Sequence, residues 1–227
     1  MAIFQYPKDR HTRRFKPPVW KRYESYRRYL QHEFHRVCVY CRQPDSGMPN
    51  LNYGVDHYRP KGPARFAGLA CDYSNLYYCC GICNSRKNDY WPANETSDPW
   101  IVNPCEHQMS NHLRFDARSG CVDYRTVHGE FTRELLELND EARLSYRQST
   151  LRALARIERD HQDLAKSQAA IDRQLRRGEI DAATHHALTA EVARDLADVM
   201  RDAQMLTGEG PARPLPMRAG KVLHTVK

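Results

Sequence analysis

A chain of 227 residues with 41% hydrophobic and 28% charged side chains has the composition of a folded domain, with room for one core and an appendage. No run of about eighteen apolar residues is present to cross a bilayer, and MAIFQYPKDRHTRRF lacks the apolar stretch of a signal peptide. A cytoplasmic location is expected, and eight cysteines in a reducing compartment point to metal rather than disulfides.

The net charge of +7 is concentrated at the ends: residues 1–37 hold ten Lys and Arg against three Asp and Glu, and the tail from Gly208 holds four against one. After the KPP triplet, Val19 to Arg36 reads as a helix, because Trp20, Tyr23, Tyr26, Leu30 and Phe34 recur at three- and four-residue steps. That aromatic stripe reads as core. The basic segment RRFKPPVWKRYESYRRYLQHEFHR, from Arg13 to Arg36, suits a phosphate backbone or a solvated helix face equally well. From Val37 to Val127 the pattern becomes short strands and loops rich in Pro, Gly, Asn and Asp, and this stretch holds all eight cysteines.

From Phe131 no Gly or Pro occurs before Gly178, and the apolar spacing predicts a long helix with a break near Asn139. Leu188, Val192, Leu196, Val199 and Ala203 mark one face of a second helix, so the two form an antiparallel hairpin. Two helices bury one seam, so Leu164, Ile171, Leu188 and Leu196 meet each other or another chain. Flanking Val192, Val199 and Met200 are left poorly covered, which predicts a protein partner on residues 131–207. Residues 208–227 are expected to form a flexible basic tail.

Within the cysteine-bearing stretch, CVYC (Cys38, Cys41) and CGIC (Cys80, Cys83) are two Cys-x-x-Cys pairs, together the four thiolates of a closed structural zinc site. The gap from Cys41 to Cys80 is longer than in a simple zinc ribbon, so a folded unit must lie inside it. Cys79 competes with Cys80 as ligand, although strand alternation points the two to opposite faces. Cys71, Cys105 and Cys121 lack comparable partners and read as buried or free thiols. A redox reading of Cys-x-x-Cys fails, since two pairs occur without a βαβ pattern.

The gap holds GVDHYRPKG and then Asn75, while Asn84 comes directly after the second pair. If Asp56 and His57 end one strand, Asn75 to Cys80 forms the return strand and Cys83 opens a helix, zinc ties the first strand to that helix. Asp56, His57 and Asn84 then come to one face of a rigid clip.

The segment CVYC … VDHYRPK … NLYYCCGICNSRK resembles the HNH endonucleases of the ββα-metal fold, with His57 at the first H, Asn75 at the N and Asn84 where the final H often stands. Asparagine at that last position is shared with the HNH domain of RNA-guided nucleases, where the two asparagines are also nine apart. The resemblance implies an α+β fold: a zinc-knuckled ββα core over residues 38–130, preceded by a basic segment with a helix (1–37) and followed by the helical hairpin (131–207). More loosely, residues 16–147 are similar to the HNH subunits of bacterial anti-phage defence pairs of the Septu and retron-associated type, which work beside an ABC-like ATPase.

The activity implied by the resemblance is hydrolysis of a nucleic-acid phosphodiester, with DNA the expected substrate and RNA left open. His57 acts as general base, since its unperturbed pKa lies near neutrality. Asp56 and Asn84 offer oxygens to Mg²⁺ or Mn²⁺, and Asn75 braces the loop that carries His57. Lys61, Arg86 and Lys87 lie close enough in sequence to meet phosphates and read equally well as plain surface charges, and Asn88, one helical turn after Asn84, is a further candidate on the metal side. The competing expectation is a zinc-knuckle nucleic-acid-binding or scaffolding protein without catalysis, which leaves Asp56, His57 and Asn84 with no joint purpose.

Overall fold

The computed structural model describes residues 3–46 and 52–209, so the expected tail lies outside the described residues from position 210 onward. The fold mixes α and β. An extended N-terminal arm lies across the core before any helix begins: Phe4 and Tyr6 are buried, the Phe4 ring packs on Phe115 and Tyr146, and the Tyr6 hydroxyl donates to the Tyr40 carbonyl.

The helix expected over 19–36 is shorter. A 3₁₀ turn at Tyr23–Tyr26 leads into α1, Arg27–Glu33. The two prolines hold the preceding backbone extended, and Val19 is 93% exposed. The helix ends in a Schellman turn, with His35 and Arg36 at φ of 53° and 61° and the Arg36 N–H donating to the Gln31 carbonyl. The aromatic stripe is nevertheless core, since Tyr26, Leu30 and Phe34 are buried.

Several of the basic residues expected to face solvent or phosphate hold this arm down. The Arg13 guanidinium lies over the Phe34, Tyr73 and Tyr77 rings and donates to the Leu76 carbonyl. Glu33, fully buried, accepts from the Arg14 and Phe15 backbone N–H groups and the Tyr73 hydroxyl, and bonds the His11 ring at 2.8 Å. Burial pushes the Glu33 pKa up, but those donors outweigh it and hold the carboxylate at about 2.

β1 (Tyr53–His57) pairs antiparallel with β2 (Leu76–Cys80), Tyr53 opposite Cys80 and His57 opposite Leu76. β2 runs directly into α2 (Gly81–Lys87), whose first turn is capped by the Cys80 sulfur accepting from the Cys83 N–H. All five residues of β2 are buried, because α1 covers one face of the ribbon and α2 packs at its end.

A second antiparallel pair comes next, β3 (Leu113–Phe115) with β4 (Val122–Tyr124), and then α3 (Val127–Leu135). Gly129 sits where α3 meets the chain at His112; a Cβ there would lie 2.0 Å from the His112 carbonyl oxygen, so only glycine fits.

The expected break falls between Leu135 and Glu141, with Leu136 and Leu138 fully buried. Asp140 then caps α4 (Glu141–Arg176), which turns through left-handed Gly178 into α5 (Ala182–Thr207). Only the root of α4 is buried, at Arg143, Arg147 and Thr150. α5 is about 39 Å long at 1.5 Å per residue, and along it Val192 alone is buried. The poor cover expected at Val192 is therefore corrected: it sits in the seam, whereas Met200 is 52% exposed. Leu164, Ile171, Leu188, Leu196 and Val199 are half-buried by the other helix. The seam turns polar toward its tip, where His185 bonds Asp172 and Gln168 reaches Thr189. At the other end α5 returns to the body, where the Ser46 hydroxyl donates to the Met205 carbonyl.

Candidate functional site

The β1–β2 ribbon separates two groups of residues. At its Tyr53/Cys80 end the Sγ atoms of Cys38, Cys41, Cys80 and Cys83 lie within 4.8 Å of one another, all buried. A tetrahedron with metal–sulfur bonds of about 2.3 Å has edges of about 3.8 Å, and the Cys41–Cys80 sulfur pair is 3.8 Å apart. A disulfide would need about 2 Å, and all eight cysteines are free. The four sulfurs therefore fit a zinc ion. Cys80 belongs to this group and Cys79 does not: the Cys79 thiol donates to the Cys80 carbonyl instead.

Sequence reasoning missed Arg143. It reaches over from the first turn of α4 and donates from Nη1 to the Cys83 sulfur at 3.3 Å. Burial works against the Arg143 cation, but the Cys83, Cys41 and Cys80 sulfurs outweigh it and raise its pKa. No sequence signal marks it, since the contact spans 60 positions.

At the other end of the ribbon an open cleft of about 310 Å³ is lined by Tyr23, Asp56, His57, Lys61, Asn84, Asn88 and Asp89, among others. At about 30 Å³ per water it has room for a phosphodiester group with several waters. Asp56 and His57 end β1, and Asn84 and Asn88 stand one turn apart on α2 and its C-terminal cap.

The His57 ring is fixed on two sides. Its Nε2 is 2.9 Å from the Ala70 carbonyl, which only accepts, so Nε2 carries the proton and Nδ1 is the free acceptor of the neutral ring. Tyr23 meets the ring edge-on at 4.6 Å, and the Lys61 ammonium lies over Tyr23. Burial lowers the His57 pKa, and the Ala70 carbonyl opposes this only in part. Asn75, 3% exposed, accepts from the Arg59 N–H and donates to the Arg59 and Leu69 carbonyls, which closes the loop between β1 and β2 and fixes the stretch bearing Ala70.

Asp56 is not free. Its Oδ2 accepts from the Tyr40 hydroxyl at 2.6 Å, and its Oδ1 is 3.1 Å from the Lys87 ammonium, which also donates to the His57 carbonyl at 2.6 Å. Lys87, expected to face phosphate, is instead 1% exposed, because α2 turns that side chain under the ribbon. Arg86 is also engaged in structure, pairing with Asp140 and Glu137 across to the root of α4. Lys61 alone of the three expected phosphate contacts stands exposed at the cleft. Among the described residues, no other group of three His, Cys, Asp or Glu side chains gathers as the four cysteines do.

No protein-family model matches the chain, and no solved structure matches it. It is 28% identical over 127 residues to Septu protein PtuB of Bacillus mycoides (strain KBAB4), a match covering 45% of this chain and 42% of that protein. The match thus spans less than half the length of that curated relative.

Proposed function

We propose that the chain is a metal-dependent endonuclease of the HNH type, acting on DNA as the nuclease of a Septu-type anti-phage defence system. The observation that carries this reading is the meeting of His57, with Nδ1 free to accept a proton, with Asp56 and Asn84 in one open cleft. The likeness to Septu protein PtuB supports the defence role.

Phosphodiester hydrolysis needs a deprotonated water in line with the leaving oxygen and positive charge against the phosphoryl oxygens. His57 Nδ1 takes the proton, while the Ala70 carbonyl and Tyr23 keep the ring from turning. Asn84, Asn88 and Asp89 would offer oxygens to a hard cation that keeps several waters, and Asp56 would join them while keeping its pair with Lys87. Mg²⁺ or Mn²⁺ bound there would stabilise the charge developing on the phosphate. Lys61, exposed at the cleft, attracts the phosphate backbone. The helical pair within residues 131–207 docks the protein partner, an ABC-like ATPase, with Met200 and Met205 as its exposed apolar contacts.

One observation favours a second reading, a zinc-knuckle nucleic-acid-binding protein without catalysis: Asp56 is already neutralised by Lys87. Incubating purified protein, alone and with the co-expressed neighbouring gene product, with plasmid DNA, single-stranded DNA and RNA in Mg²⁺ or Mn²⁺ separates the two. Cleavage that disappears in His57→Ala supports the nuclease. Metal-independent binding with no cleavage under any condition supports the binding protein and sinks the nuclease.

A further inference from the structure

Four thiolates around a divalent ion carry a net charge of about −2, and here all four sit where each residue is at most 2% exposed. Water cannot solvate that charge, so the protein must balance it. Two arginines on successive turns of α4 reach this region. Arg147, 2% exposed, directs its guanidinium to the carbonyls of Gly120 and Leu138 and the side chain of Asn139, with no carboxylate among these partners. Arg143, 5% exposed, makes the direct contact: Nη1 donates to the Cys83 sulfur, while Nη2 is buried without a hydrogen-bond partner among the described residues. The carboxylate it pairs with, Asp140, also accepts from Arg86, three residues beyond Cys83 on α2. A ring of contacts thus runs from Cys83 through Arg143, Asp140 and Arg86 back to the helix that carries Cys83.

We infer that Arg143 is part of the metal centre: it donates a charge-assisted hydrogen bond to the metal-bound Cys83 sulfur, so that retention of the zinc ion depends on α4 being seated. The inference uses the four-cysteine centre only and stands whether or not the cleft is a nuclease site. A donor to a ligating sulfur drains charge from it, balances the anionic centre and holds the ligand in its rotamer. The same bond makes the root of the helical pair part of the metal site, although none of its residues ligates the ion.

The test is zinc affinity of the full chain, measured by competition with a chromophoric chelator, together with the sulfur-to-metal charge-transfer bands of the Co²⁺-substituted protein. Arg143→Met should bind zinc about 10- to 100-fold more weakly and shift those bands, because a thiolate without its donor is more electron-rich. Arg143→Lys, which keeps a cation, should lose less. Arg86→Met breaks the α2 side of the ring without touching the sulfur and should leave the bands in place. Wild-type affinity with unchanged bands in Arg143→Met overturns the inference. So does misfolding of the Met and Lys variants alike, since the packing of the side chain and not its charge would then matter, and so does a band shift in Arg86→Met equal to that in Arg143→Met.

Discussion

The two ends of the β1–β2 ribbon are built from the same short ladder of backbone bonds, yet they differ in almost every physical respect. At Tyr53/Cys80 the chain closes over itself: the Val39 N–H joins the Tyr78 carbonyl, the Cys38 N–H joins the Gln43 carbonyl, and the sulfurs are sealed from water. At Asp56/His57 the loop between the strands, closed by Asn75, seats the Ala70 carbonyl against the His57 ring, and a polar cleft opens beside it. A sealed site can only hold its ligand and the fold with it, whereas an open one can admit a substrate. Damage at the first should therefore cost folding, and damage at the second should cost chemistry.

The largest effect is expected at the sealed end. Structural zinc contributes about 10–16 kcal/mol in small metal-dependent folds, so Cys80→Ser should lose the metal and the near-UV dichroism together. Cys79→Ser, one residue away, should keep one zinc per chain by elemental analysis and cost about 1–2 kcal/mol. Equal metal loss in both variants would break the distinction between ligand and neighbour.

Lys87 lies between the two ends and tests where the sealed region stops. Lys87→Met leaves the buried Asp56 carboxylate without its cation, and breaking such a pair costs about 3–5 kcal/mol. Adding Asp56→Asn should recover part of that loss in urea melts. A neutral single variant would mean that water reaches Asp56, placing it wholly on the open side.

At the open end, His57→Ala should slow cleavage by about 10² to 10⁴ while leaving zinc content and melting temperature nearly unchanged. Because burial lowers the His57 pKa, the free base persists below the ordinary value of 6.5, so the acid limb of the rate profile should lie below that pH. An acid limb above pH 6.5 would count against His57 as the base.

The smallest effect sharpens the comparison by adding a third kind of closure, the arm held by Glu33. Its folded pKa of about 2 lies below the ordinary 4.5, so its stabilisation is present above pH 4.5 and is lost as pH falls toward 2. Urea melts over that range should show a loss on the order of 2 kcal/mol that Glu33→Gln no longer shows. An unchanged pH slope in the variant would mean that Glu33 does not hold the arm.

Legibility in the sequence tracked locality. The two Cys-x-x-Cys pairs, the break near Asn139 and the turn at Gly178 each depend on residues a few positions apart, and each could be read directly. The end of α1 was missed because it is set by a left-handed pair at His35 and Arg36, which neither residue type advertises. Tyr23 reads in the sequence only as a member of the aromatic stripe, and the Ala70 carbonyl and Tyr40 carry no pattern of their own, yet these three orient His57 and Asp56.

Spacing and residue type alone therefore determined a four-thiolate centre, a histidine and carboxylate near a strand end, and two long helices folding back on each other. Tertiary structure decided which charges are available to act. Lys87 and Arg86 look alike beside Asn84, yet the helix turns one under the ribbon to Asp56 and sends the other to Asp140. Arg143 looks like any helical arginine until α4 docks against Cys83. The reason is that a charge takes its role from the partner that replaces its lost water, and those partners lie tens of residues away in the chain.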